Sequence, residues 1–162
     1  MRAFTHLRVV SGYSLRYGAS HPERLAERAA ERGMDAVALT DRDGVAGAVR
    51  FAKAAARAGV RPLFGVDLAV GMPDGGAGRR RARTPVRGGA FVDESAPRVL
   101  FLARDGGRGW AEVCRLVSVA HRAGRVLLPW EEVAGEHVVV LLGPDSDVGR
   151  ALGAGRPDRA AV

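Results

Sequence analysis

Few side chains in this 162-residue chain combine a type and a spacing that could do chemistry. Its four histidines are His6, His21, His121 and His137, and no two stand at the spacing with which a helix presents a zinc pair. Neither His-Glu-x-x-His nor a calcium-loop pattern occurs. Ser11, Ser14, Ser20, Ser95, Ser118 and Ser146 all lie outside Gly-x-Ser-x-Gly. Glycine clusters near residues 75 and 106 lack the Lys-Ser/Thr or helix context of a phosphate loop and read as flexible linkers. The single cysteine, Cys114, excludes a disulfide or a cysteine-based zinc site within one chain and reads as a small buried hydrophobe. Two loops remain. One begins at Val10-Ser11 and the other is Thr40-Asp41-Arg42-Asp43-Gly44. Each follows a short apolar run, and in parallel α/β proteins the working loops sit at the carboxyl ends of strands. A site is expected between them. Arg79, Arg80, Arg81, Arg83 and Arg87 form the densest positive cluster, suited either to a phosphate backbone or to simple solvation.

The elements that must position these loops follow from local signals. Residues 4–10 alternate loosely and suit a first strand. Ser20 with Glu23 completes a capping box, Pro22 falls in the first turn, and a helix is expected from His21 to Arg32. Gly33 supplies its left-handed stop. Asp35–Thr40 (DAVALT) is a short run without polar alternation, as in a strand buried on both faces. A second helix is expected over Val45–Ala58, with Val45, Val49, Ala52 and Ala56 inward and Gly59 at its end. Pro62–Val70 forms a third strand, so the first seventy residues read β-α-β-α-β with parallel strands and right-handed crossovers.

Gly71–Ala96 breaks the pattern. It is rich in Gly and Arg, too long for an ordinary connection, and reads as a flexible or disordered insertion. Regular signals return in the strand Arg98–Ala103, the helix Arg108–Arg122, a turn over Pro129–Ala134, the strand His137–Leu142 and a short helix Asp145–Leu152 with Asp145 near its cap. Residues 153–162 are expected to fray.

Length and composition suit one domain: 47 % of residues are hydrophobic but only 6 % aromatic, so the core is built from small side chains. The net charge of +7 invites a nucleic-acid reading. Against it, Lys53 is the only lysine, and Arg-for-Lys with Ala and Gly enrichment is what a GC-rich genome writes everywhere. No apolar run reaches the ~18 residues of a membrane span, no signal pattern opens the chain, and a cytoplasmic location is expected.

Taken together, HLRVVSGYSLRYGAS, ALTDRDGVAGAVRF and GVRPLFGVDLAV resemble the start of a PHP domain (polymerase and histidinol phosphatase). They are closest to the version found in bacterial DNA polymerase III alpha subunits, especially the error-prone C-family polymerases. RVLFLARDGGRGWAEVCRLVS and VVVLLGPDSDVGRAL resemble its continuation. The resemblance implies a distorted (β/α)7 barrel, of which this chain would hold about five βα units in one truncated domain: a core over 1–70, an insertion over 71–96, further units over 97–152 and the tail. It also implies a cluster of divalent metals at the strand ends that hydrolyses phosphate esters.

The ligand positions that the resemblance picks out hold the wrong residues. The family's His-x-His is Arg8 and Val10, its Asp before Gly-Ala is Tyr17, its Thr-Asp-His ends in Arg42, and its Gly-x-Glu ends in Asp67. Arginine has no lone pair to give a metal and stays protonated. Asp41, Asp43 and Asp67 are expected to pair with Arg8 and Arg42 in an ion network, with His6 as the one histidine near enough to be a surviving ligand. No cofactor is therefore expected. Three functions follow as alternatives: a non-catalytic PHP-like module that packs against polymerase domains or replication and repair proteins; a metal-dependent phosphoesterase or 3'-5' exonuclease rebuilt around His6, Asp41, Asp43 and Asp67; and a nucleic-acid-binding module using Arg79–Arg87.

Overall fold

The structure, a computed structural model, describes residues 4–71, 84–85, 91–92, 95–122, 126–133 and 135–160. In order these form α1 (Pro22–Glu31), β1 (Ala36–Arg42), α2 (Ala48–Ala58), β2 (Arg61–Ala69), β3 (Thr84–Pro85), β4 (Phe91–Val92), β5 (Arg98–Ala103), α3 (Gly107–His121), a 3-10 turn at Trp130–Glu132, β6 (Val138–Leu141), α4 (Asp147–Gly153) and a final 3-10 turn at Pro157–Arg159. Four strands make one sheet in the order β1-β2-β5-β6, and β3 pairs with β4 separately.

The β1-α2-β2 unit is a parallel crossover, in register from Ala36 opposite Arg61 to Arg42 opposite Asp67. Beyond β2 the parallel expectation fails. β5 runs antiparallel to β2, and β6 antiparallel to β5. A parallel neighbour needs a crossover connection, usually helical, and no helix is found among the described residues between β2 and β5. The result is a mixed sheet rather than a run of five βα units.

Other expectations need correction. Residues 4–10 supply only a bridge from His6 to Val37 instead of a strand. Ala38 N–H donates to His6 O and Thr40 N–H to Val9 O, so three residues on one side oppose two on the other. That extra residue bends the segment out of the ladder. The capping box is not made: His21 occupies the α1 N-cap and no side chain caps it. Ser146, not Asp145, caps α4, accepting from Gly149 N–H at 3.0 Å. Cys114 is half-buried rather than buried, and burial raises its thiol pKa. Within 71–96, β3 pairs with β4, and Arg79, Arg80, Arg81, Arg83 and Arg87 lie outside the described residues. The tail carries a 3-10 turn at Pro157–Arg159.

Helices cover one face of the sheet. α1 and α2 pack on Val37 and Leu39 of β1 through Ala26, Ala29, Phe51, Ala54 and Ala55. α3 packs Val113, Leu116 and Ala120 on Val66, Leu68, Val99 and Phe101. The alternate residues Ala38, Leu63, Leu100, Leu102 and Leu141 form a smaller cluster on the reverse side. The inward stripe of α2 is one position off the expected one. The helix begins at Ala48, Phe51 is its buried anchor, and Val49 is 64 % exposed. Gly65 is obligatory in β2, because a Cβ there would lie 2.5 Å from Phe101 O.

Candidate functional site: an ion chain at the strand ends

The carboxyl ends of β1 and β2 bring most of the expected site residues together. β1 runs two residues further than its apolar stretch, so Asp41 and Arg42 are strand residues, and only Asp43 turns away. Asp43 does so at φ 60°, a left-handed conformation that Asp tolerates better than most residues. His121, in the last turn of α3, approaches the Asp43 carbonyl with Nε2 at 2.6 Å.

Asp67, 1 % exposed, is the centre. Its Oδ1 accepts from Arg98 Nε at 2.6 Å and its Oδ2 from Arg8 Nη2 at 3.1 Å. Arg98 Nη2 also donates to Asp43 Oδ1 at 2.8 Å and to the Asp67 carbonyl at 2.7 Å. Arg8 Nη2 reaches onward to Asp145 Oδ2 at 2.9 Å. The groups alternate in sign along one line: Asp145, Arg8, Asp67, Arg98, Asp43. Burial acts to lower the Arg8 pKa, but the hydrogen bond to Asp145 and the charges of Asp67 and Asp145 outweigh it and hold it above its ordinary value.

Asp41 and Arg42 depart from the expected pairing. Asp41 is 2 % exposed and meets hydroxyls instead of arginine. Its Oδ1 accepts from Ser11 N–H at 2.6 Å and Ser14 Oγ at 2.6 Å, and its Oδ2 from Ser11 Oγ at 2.8 Å. The carboxylate thus anchors the 11–14 turn to β1, and Ser14 Oγ also accepts from Arg42 N–H at 2.9 Å. Arg42 lies directly opposite Asp67 in register, yet its guanidinium carbon stacks 3.6 Å from the centre of the Tyr17 ring. Its Nε is buried without a hydrogen-bond partner among the described residues. Burial, and then the charge of Arg98, push the Arg42 pKa below its ordinary value, while Asp67 and Asp43 pull the other way. Val10 is half-buried and offers only methyl groups. His6 is exposed, with its ring edge-on to Phe4 at 4.9 Å rather than turned into the cluster.

Arg98 and Asp145 escaped the motif reading. Arg98 opens the segment RVLFLARDGGRGWAEVCRLVS but stands at no expected ligand position, and its nearness to Asp67 follows only from antiparallel pairing. In that register Asp67 faces Leu100, which places Arg98 on the diagonal of the same face.

A metal cluster of the PHP type needs lone pairs converging on a point. Here both oxygens of Asp67 carry guanidinium groups, and Arg42 adds a further cation at the end of β1. Among the described residues no three His, Cys, Asp or Glu side chains are placed to hold a metal ion. These residues do not fit a divalent cation, which two fixed positive charges at Asp67 would repel.

Comparison with known proteins defines the class. A PHP domain match runs over residues 6–154, and the chain belongs to that family. It is 43 % identical over 122 residues to the error-prone DNA polymerase of Mycobacterium tuberculosis, covering 75 % of this chain and 10 % of that protein. It is 32 % identical over 168 residues to the DNA polymerase III subunit alpha of Caulobacter vibrioides, covering 99 % of this chain and 14 % of that one. The chain thus spans between a tenth and a seventh of the length of these relatives. Among solved structures it is similar to an amidohydrolase from Chromobacterium violaceum with bound sulfate and no metal, at a TM-score of 0.47 and 23 % identity over 74 % of this chain and 33 % of that one. No described helix is long and apolar enough to cross a membrane.

Proposed function

We propose that this chain is a non-catalytic PHP domain, related to that of the DNA polymerase III alpha subunit, whose role is to pack against polymerase domains or other replication and repair proteins. One observation carries the reading: Asp67, at the position where the family's third strand keeps an acid, is bound at both oxygens by guanidinium groups. Arg8, Val10, Tyr17 and Arg42 at the other ligand positions make the site degenerate, and Asp41, which could have served a rebuilt centre, is occupied by Ser11 and Ser14. The residues 1–162 act as a single PHP-like unit in this reading.

Elemental analysis of the purified protein tests it directly. Mn, Zn and Fe are expected well below one ion per chain, and added Mn2+ should not produce hydrolysis of p-nitrophenyl phosphate. Stoichiometric metal, or turnover that disappears on Asp67→Asn, would restore the phosphoesterase reading.

A further inference from the structure

The two edges of the four-stranded sheet differ. Along β1 the chain covers its own edge: His6 bridges to Val37, Ala38 N–H donates to His6 O, and Thr40 N–H donates to Val9 O. Along the outer side of β6 no strand is paired among the described residues. The phase of that open edge follows from β5. Arg104 N–H donates to His137 O at 2.9 Å, and the register sets Leu102 against Val139 and Leu100 against Leu141. The main-chain groups of Val139 and Leu141 therefore turn toward β5, and those of Val138 and Val140 turn outward.

This edge carries none of the devices that keep exposed strands apart. Residues 138–142 read VVVLL, without a charge, a proline or a glycine. Val139 is 42 % exposed and Leu142 47 %, where a solitary edge ordinarily shows a charged side chain. Unpaired main-chain donors and acceptors in strand geometry are matched by another strand, and this one matches itself. About a two-fold axis through Val140, antiparallel pairing sets Val138 of one copy opposite Leu142 of the other, and Val139 opposite Leu141. Apolar side chains then meet on both faces of the sheet, and the exposed pair Val139 and Leu142 is covered. Glu136 falls opposite Pro144, so no carboxylate faces another. An axis through Val139 instead would set Leu142 against Glu136, which fixes the register.

We infer that the outer edge of β6 binds a second copy of this chain, in an antiparallel two-fold pairing centred on Val140 that joins the two sheets into one. Because the β1 edge is already occupied by residues 6–9, each copy offers a single open edge to the other. The contact is isologous, and the assembly closes at two copies instead of growing into a fibre. The inference goes beyond the role proposed above and does not depend on the state of the ion chain.

Sedimentation equilibrium of the full chain over a dilution series reads the association, and amide hydrogen exchange followed by NMR reads the edge. A reversible monomer–dimer equilibrium is expected, with Val138 and Val140 amides whose exchange slows as the concentration rises. Val139→Lys, a change at an exposed position, should raise the dissociation constant about tenfold or more. Val49→Lys, on the exposed side of α2, should leave it unchanged. In a Cys114→Ala background, a short bismaleimide should link two copies of Val139→Cys but not two copies of Val49→Cys. A monomer at every concentration, a dimer indifferent to Val139→Lys, or equal linking at positions 139 and 49 would overturn the inference. So would Val138 and Val140 amides protected at every dilution, since another part of the same chain would then cover the edge. Metal analysis is separate from these results: a metal-loaded dimer defeats the non-catalytic reading alone, and a metal-free monomer defeats the edge pairing alone.

Discussion

At the scale of single residues, the strand ends set two guanidinium groups against the carboxylate of Asp67. A bridging carboxylate in a metal cluster presents one oxygen to each of two cations, and Asp67 does the same toward Arg98 and Arg8. Removing one member of a buried ion pair strands its partner and costs about 3–5 kcal/mol. Asp67→Asn should therefore lower the unfolding free energy in urea by roughly that amount, and Arg98→Gln should do nearly as much because Arg98 is only 10 % exposed. The double variant should lose less than the two added together, since the residues touch; strict additivity would show that the pair is not a coupled unit. Asp41, Asp43 and Asp67 were readable as the carboxylates of the site. Their partners were not, because serine against Asp41 and arginine from a distant strand against Asp67 depend on register rather than on spacing.

At the scale of elements, the helix and strand boundaries were legible where the local chemistry was unambiguous. Gly33 and Gly59 both stop helices with left-handed φ, at 65° and 69°. The direction of β5 was not legible, since a six-residue apolar run reads the same in either direction and the preceding segment carries no periodicity. The face of α2 is ambiguous for a related reason: an alanine-rich helix with valines on a second side offers two stripes, and only the position of Phe51 decides between them. The close approach of β2 to β5 at Gly65 gives a sharp check on the antiparallel pairing. Gly65→Ala puts a methyl carbon against the Phe101 carbonyl and should destabilise the fold by about 1–3 kcal/mol in chemical denaturation. An unchanged midpoint would refute the register.

For the whole molecule, several arginines among the described residues act as clasps between elements. Arg115 joins Glu112 on α3 to Glu132 in the following 3-10 turn, at 2.9 and 3.2 Å. The hydrogen bond from Arg115 holds the Glu112 pKa below its ordinary 4.5. The folded-state value is depressed, so the stabilisation is present above about pH 4.5 and is lost as the pH falls through the lower folded value. In thermal melts taken from pH 6 downward, Glu112→Gln should start less stable and then lose less on acidification than the parent; parallel curves would mean that the clasp contributes nothing. The contact between Arg8 and Asp145 spans 137 positions and has a different consequence. Segments far apart in sequence must already be neighbours before it can close, and with both side chains half open to water it should be among the first links to release when the molecule breathes.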